Sequence, residues 1–148
     1  MRKVLIDKAV RFNYKILDTL VCGMQLTGTE VKSLREGKAS IKDAYCYVEN
    51  GEMFVKNMHI SEYALIKYTQ HDPYRVRKLL LRKNEINKFH QSVKERGYTI
   101  VPLSIILTDS GFFKLEIGLA QGKKVYDKKA TLKEKDIDRE TKRELNRN

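Results

Sequence analysis

Cysteine and proline are scarce in this 148-residue chain, with two of each. Cys22 and Cys46 stand alone, without a CxxC and without a paired His spacing, so a zinc site would be short of ligands and a disulfide framework is not expected. Both read as small, reduced core residues. Pro73 falls in a stretch without periodicity, and Pro102 in an apolar run where proline is tolerable only at a sheet edge or a bulge. Long hydrophobic runs are missing too. Nothing approaches the roughly 18 apolar residues of a membrane-spanning helix, and no basic helix carries a broad apolar face, so a membrane is not an expected partner. Asp7 and Lys8 interrupt the apolar triplet Val4-Leu5-Ile6, which denies the N-terminus the h-region of a secretory signal and makes the expected location cytoplasmic. Acidic residues are the minority charge: 30 Lys and Arg face 19 Asp and Glu, a net charge of +11. That balance suits a polyanion, whose condensed counterions are released when lysines and arginines meet its backbone.

Catalytic signatures are equally thin. Gly118 to Lys124 has a superficial likeness to a phosphate loop, but only three residues separate its glycines and Lys124 stands where a magnesium-binding Ser or Thr is needed. Gly23 and Gly28 have the right spacing and no Lys after them. HExxH and GxSxG are absent, and His59, His71 and His90 show no spacing that pairs them with a nucleophile. The expectation is a protein that is not an enzyme and carries no cofactor or metal. The enzymatic rival is a metal-assisted RNA nuclease using acids such as Asp43 and Asp72.

What is present is one domain's worth of alternating segments. Lys15–Cys22 reads as a strand, Gly23 as a break, and Met24–Thr27 as a second short strand. Gly28-Thr29-Glu30 then opens a short helix that Thr29 caps, with Val31 and Leu34 on one face and Gly37 as its stop. Tyr45–Glu49 and Met53–Asn57 flank an Asn50-Gly51 pair, the strongest short hairpin signal. Ser61–Val76 reads as a long partner-serving loop. Asn84 caps a second helix, with Ile86, Phe89 and Val93 at helical spacing up to Gly97. Tyr98–Leu107 and Phe112–Ala120 form a final hairpin. Six or seven short strands with two helices predict a mainly β, α+β fold built on a small antiparallel barrel, closed or partly closed.

From Lys123 to Asn148 the texture changes: ten Lys or Arg and six Asp or Glu surround few aliphatics, so residues 122–148 read as a basic tail appended to a domain of residues 1–121. Lys135 with Asp138 and Glu140 with Arg143 attract at helical spacing, whereas Glu140 with Glu144 and Lys135 with Arg139 repel. Such a tail is expected to be disordered when free and to need a partner to become helical.

Several unusual strings, in order along nearly the whole chain, carry a family resemblance: Leu26 to Lys38, Gly37-Lys38-Ala39 with Asp43-Ala44-Tyr45, Asn57-Met58-His59-Ile60, His71-Asp72-Pro73 with Arg75 to Leu81, and Gly122 to Lys129. The chain resembles the small protein B family of SsrA-binding proteins, partners of transfer-messenger RNA. The resemblance implies a barrel similar to an OB-fold with helices at its rim. It implies binding to the tRNA-like domain of transfer-messenger RNA, and delivery of that RNA to stalled ribosomes for trans-translation. Elongation factor Tu and alanyl-tRNA synthetase would then be indirect partners, reached through the RNA. A general single-stranded RNA-binding barrel is the alternative, for which stacking and salt-sensitive affinity suffice.

Candidate site residues follow on those two levels. Taken alone, Glu30 is a first-turn carboxylate favoured by the helix dipole by roughly 0.3–1 kcal/mol. The resemblance implies that it faces the RNA and accepts bonds from a base or ribose. Lys32, Arg35 and Lys38 form one basic patch; Arg75, Arg77 and Lys78 follow the loop carrying His71 and Tyr74, cations mixed with rings that stack on unpaired bases. Singly each reads as a solvated basic residue; the resemblance joins the two patches as one tmRNA-binding surface, with Asn13 and Tyr14 nearby. It also implies that Gly122, Lys123, Lys124, Tyr126, Asp127, Lys128 and Lys129 enter the ribosomal decoding centre against small-subunit rRNA, Tyr126 stacking on a base, and that the remainder lies as a helix in the empty mRNA channel. Tyr126 stands where some members carry His, and Lys129 where Arg is common.

Overall fold

The computed structural model describes residues 1–66 and 70–122. In chain order the elements are β1 (Arg2–Ile6), α1 (Val10–Asn13), β2 (Tyr14–Met24), α2 (Gly28–Arg35), β3 (Ala39–Ser40), β4 (Tyr45–Glu49), β5 (Glu52–Lys56), β6 (His59–Ile60), β7 (Arg77–Leu80), α3 (Lys83–Arg96), β8 (Thr99–Leu107) and β9 (Phe113–Gly122). The sheet runs β1-β8-β4-β5-β7-β2-β9, and a further pairing of β8 with β9 closes six of its strands into a ring. The fold is therefore mainly β with added helices, as expected. All the pairings in this sheet are antiparallel.

Strand β8 holds the ring together because it is apolar on both faces. Ile100 and Ile105 belong to the main core with Leu115 and Ile117 of β9, whereas Val101 and Leu103 join Val10 of α1 and Ala120 in a smaller cluster behind the sheet. β9 lies along one edge of β8; Cys46 of β4 and residues 2–6 of β1 share its other partners. Pro102 sits at a register shift between Pro102 and Ser104, where the ladder can spare its missing N–H. Its strand is central, so the bulge rather than an edge accommodates it.

Asn50 and Gly51 both adopt positive φ, 52° and 76°, which gives the β4–β5 turn the handedness that matches strand twist. Helix α3 ends at Gly97, φ 67°, whose N–H donates to the Val93 carbonyl, and it places Ile86 and Phe89 in the core. Burial pushes the Cys22 thiol up to about 12 and Cys46 well above the usual range, so both stay protonated inside the ring.

Three local expectations are corrected. Gly23 does not break the first strand: β2 runs unbroken from Tyr14 to Met24, with Gly23 between Leu80 and Lys114 of its two neighbours. The α3 cap is not Asn84, which lies inside the helix; Arg82 occupies that position and its N–H donates to Glu85 Oε1 at 2.9 Å. Strand β9 reaches Gly122, opposite Tyr14, so the sheet includes the first residue assigned to the tail. Strand β1, helix α1 and the small β3–β6 pair are additions that the apolar patterning had not indicated. Among the described residues no helix is long and apolar enough to cross a membrane.

Gly118 is the glycine whose surroundings leave least room for a side chain among the described residues. A Cβ there would lie 3.1 Å from Leu103 Cδ1 and 3.2 Å from Ile16 Cγ2. Gly118→Val is expected to destabilise the protein by about 1–3 kcal/mol through overpacking, read as a lower urea midpoint at unchanged slope.

Candidate nucleic-acid interface

Helix α2 begins two residues earlier than a Thr29 cap would set it, because Thr27, not Thr29, is its cap. The Thr27 hydroxyl accepts from the Glu30 N–H at 3.4 Å and the Glu30 carboxylate accepts from the Thr27 N–H at 2.8 Å. This reciprocal pair satisfies two of the orphan donors at the helix start. Ser33 and Leu34 turn inward, Lys32, Arg35 and Lys38 lie exposed, and Gly37 ends the helix at φ 72°.

The cap carboxylate does more than hold a helix end. Glu30 is fully buried, its Oε1 accepting from Arg75 Nη2 at 2.6 Å and its Oε2 from Arg77 Nε at 2.5 Å. Arg77 is also fully buried, and its remaining donors go to backbone: Nη1 to the Met58 carbonyl and Nη2 to the Pro73 carbonyl at 3.2 Å. Arg75 is half-buried and gives a further bond to the Gln25 carbonyl at 3.0 Å. Burial pushes the Glu30 carboxyl upward, but hydrogen bonds from Arg75, the Thr27 N–H and Arg77 outweigh it and hold the group below the usual carboxylate value. Burial likewise draws the Arg77 guanidinium down, and Glu30 partly restores it.

His71, the ring between the two basic patches in sequence, is buried against the same helix. Its Nδ1 meets Thr29 Oγ1 at 2.8 Å and its Nε2 meets the Ile60 carbonyl at 2.8 Å. The carbonyl can only accept, so Nε2 carries a proton and donates to it. Among the described residues of this loop the exposed aromatic ring is Tyr74, 4.9 Å from His59 between ring centres. Lys32 reaches back over Tyr63, its Nζ 5.6 Å from the ring centre, a cation–π contact that ties α2 to the 61–76 loop.

The candidate residues thus separate into three places. Glu30, Lys32, His71, Arg75 and Arg77 come together around α2, with Arg35 and Lys38 on its open side. Lys78 follows Arg77 by one residue and so points out of the ring, where its Nζ pairs with Glu52 at 2.9 Å. Asn13 and Tyr14 line another cavity, of about 590 Å³, shared with Lys42, Tyr45 and Gly122. Lys123, Lys124, Tyr126, Asp127, Lys128 and Lys129 lie outside the described residues.

Comparison with known proteins places this geometry in a family. The model of the SmpB protein family matches residues 4–147. The chain belongs to the SmpB family. Curated SmpB relatives named SsrA-binding protein include one from Phocaeicola vulgatus, 49% identical over 141 residues, 95% of this chain and 94% of that protein. Another, from Lachnoclostridium phytofermentans, is 50% identical over 139 residues, 94% of this chain and 90% of its own length. A chain from the solved structure described as "tmRNA-SmpB: a journey to the center of the bacterial ribosome" matches at TM-score 0.69 and 41% identity, covering 82% of this chain and 85% of that one.

Within this SmpB fold three of the candidate residues lie buried rather than exposed. Glu30 and Arg77 have no exposed surface and their charged ends are bonded within the chain; His71 is buried with both ring nitrogens engaged. They form the support on which the exposed cations stand. Thr27 and Tyr63 belong to the same support and were passed over, although the spacing Thr27-x-x-Glu30 is itself a capping-box signal.

Glu30→Gln is expected to destabilise folding by about 3–5 kcal/mol, since it leaves the buried Arg77 charge without its counterion. The acid limb carries the sign. The folded pKa lies below the ordinary value of 4.5, so the contribution is present above that value and disappears as pH falls through the depressed one. Urea unfolding of the wild type is expected to weaken through this window, while the Gln variant shows less of that acid loss.

Proposed function

We propose that this protein is a noncatalytic RNA-binding adaptor, which binds the tRNA-like domain of transfer-messenger RNA and brings it to stalled ribosomes in trans-translation. The observation that carries this reading is the exposed set Lys32 and Arg35 on helix α2, with Lys38 just past its end, anchored from beneath by the Glu30, Arg75 and Arg77 cluster. Exposed amines reach phosphate, and a rigid footing fixes their spacing, so the surface reads shape as well as charge. Membership of the SmpB family, relatives named SsrA-binding protein, and likeness to a chain from a tmRNA-SmpB structure concerning the bacterial ribosome all support it.

On this reading Asn13 and Tyr14 contribute from their own cavity and Arg75 through its exposed part. Glu30, His71 and Arg77 act by positioning. The segment 123–148 is the part that engages the decoding centre and mRNA channel of the small subunit, with Tyr126 against a base and Lys123, Lys124, Lys128 and Lys129 against rRNA phosphates. Elongation factor Tu and alanyl-tRNA synthetase are reached through the RNA, and the site of action is the cytoplasm.

Gel-shift titration of the full chain against transfer-messenger RNA and against ordinary tRNA tests the adaptor, and selective binding of the former is expected to withstand excess unstructured RNA. Displacement by that competitor would favour a general single-strand binder. Lys32→Glu and Arg35→Glu are each expected to weaken binding and to lower the salt dependence by about one phosphate contact. Removal of residues 123–148 is expected to leave RNA binding close to normal and to abolish peptide tagging on stalled ribosomes; tagging that persists would contradict the role given to this segment.

A further inference from the structure

We infer that the outer face of the β4–β5 hairpin is a stacking platform for unpaired RNA bases, an inference that rests on the RNA-binding reading above and adds a surface to it. The alternation of the two strands sends Cys46, Met53 and Val55 into the main core and leaves Tyr45, Tyr47 and Phe54 on the opposite face. Tyr47 stands directly across from Phe54, their ring centres 5.6 Å apart with planes inclined by 29°, and Tyr45 continues the row at 6.4 Å and 47°. Tyr45 is 37% exposed. An aromatic cross-strand pair alone stabilises a sheet. It requires neither a third ring in line nor cations beside it.

Cations flank this row. Lys56 lies directly across from Tyr45, exposed and without an ion pair among the described residues, and Lys78 lies across from Phe54 on β7. Rings with amines at their edges suit a nucleic-acid strand, whose bases offer π faces and whose backbone offers phosphates about one nucleotide apart. The cores of protein interfaces, by contrast, are depleted of lysine. Glu49 and Glu52 face each other at the turn end, and Glu52 also engages Lys78. Two carboxylates repel phosphate there, so the strand enters from the Tyr45 and Lys56 end. The target is a single-stranded or looped-out stretch, because paired bases have no face to give.

The test uses the full chain and a 5-iodouridine-substituted, unstructured RNA oligomer, with cross-links mapped by mass spectrometry and affinity read by fluorescence anisotropy at several salt concentrations. Adducts on Tyr45, Tyr47 or Phe54 are expected in the wild type. In Tyr47→Leu/Phe54→Leu, which keeps an apolar cross-strand pair, affinity for the oligomer is expected to fall about 10- to 100-fold with an unchanged salt slope. Binding to the tRNA-like domain of transfer-messenger RNA stays as in the wild type, and the urea midpoint shows that the variant is folded. Adduct mapping needs no variant, so a failure of the double substitution to fold leaves it decisive. Unchanged affinity together with adducts only on α2 and the 61–76 loop overturns the platform and leaves the RNA-binding reading intact. A wild-type chain that binds neither RNA overturns both.

Discussion

The arrangement around α2 depends on one buried carboxylate. Glu30 closes its own helix cap and at the same time holds Arg75 and Arg77, which in turn grip the backbone at Gln25, Met58 and Pro73. Removing a carboxylate and a guanidinium from water costs several kcal/mol each, and the arrangement stands because every charged end finds a partner. What such a cluster contributes is register. It fixes how the helix meets the end of the long loop after β6 and the start of β7, through partners 45 and 47 residues away in sequence. Hydrophobic contact, being nondirectional, sets no such angular relation.

The proposed phosphate recognition builds on this footing. Lys32 and Arg35 stand on the outer side of a helix whose inner side is bolted to the ring, Lys38 follows its end, and Lys32 is steadied further over Tyr63. Flexible lysines on a mobile segment would deliver affinity with little discrimination. Cations held on a rigid frame discriminate one folded shape from another, which is the property the proposed adaptor role requires. The ring of strands supplies that frame, and the two-sided burial of β8 is what lets one small sheet carry α1 on one face and the main core on the other.

Much of this was legible in the residues. Apolar alternation gave the paired strands β8 and β9, Asn50-Gly51 gave the β4–β5 turn, Gly37 and Gly97 gave both helix ends, and Pro102 demanded its bulge. Strand β1 and helix α1 escaped because each is short and flanked by charge, so the sequence pattern alone does not mark them. The α2 cap was misplaced because Thr27 and Thr29 are both good cap residues locally, and the choice falls to the one whose backbone lets Glu30 answer it.

By itself the sequence determined composition-level chemistry: a basic, largely β domain with a charged C-terminal segment, belonging by its ordered motifs to a family of RNA partners. It could not tell which charges face water. Arg77 and Lys78 are adjacent cations in the same strand, yet alternation buries one and exposes the other, and Glu30 is a surface-like helix residue until two arginines arrive from far along the chain. Only the tertiary structure decided that, because burial of a charge depends on whether distant partners converge to satisfy it, and convergence is a property of the closed ring rather than of any segment.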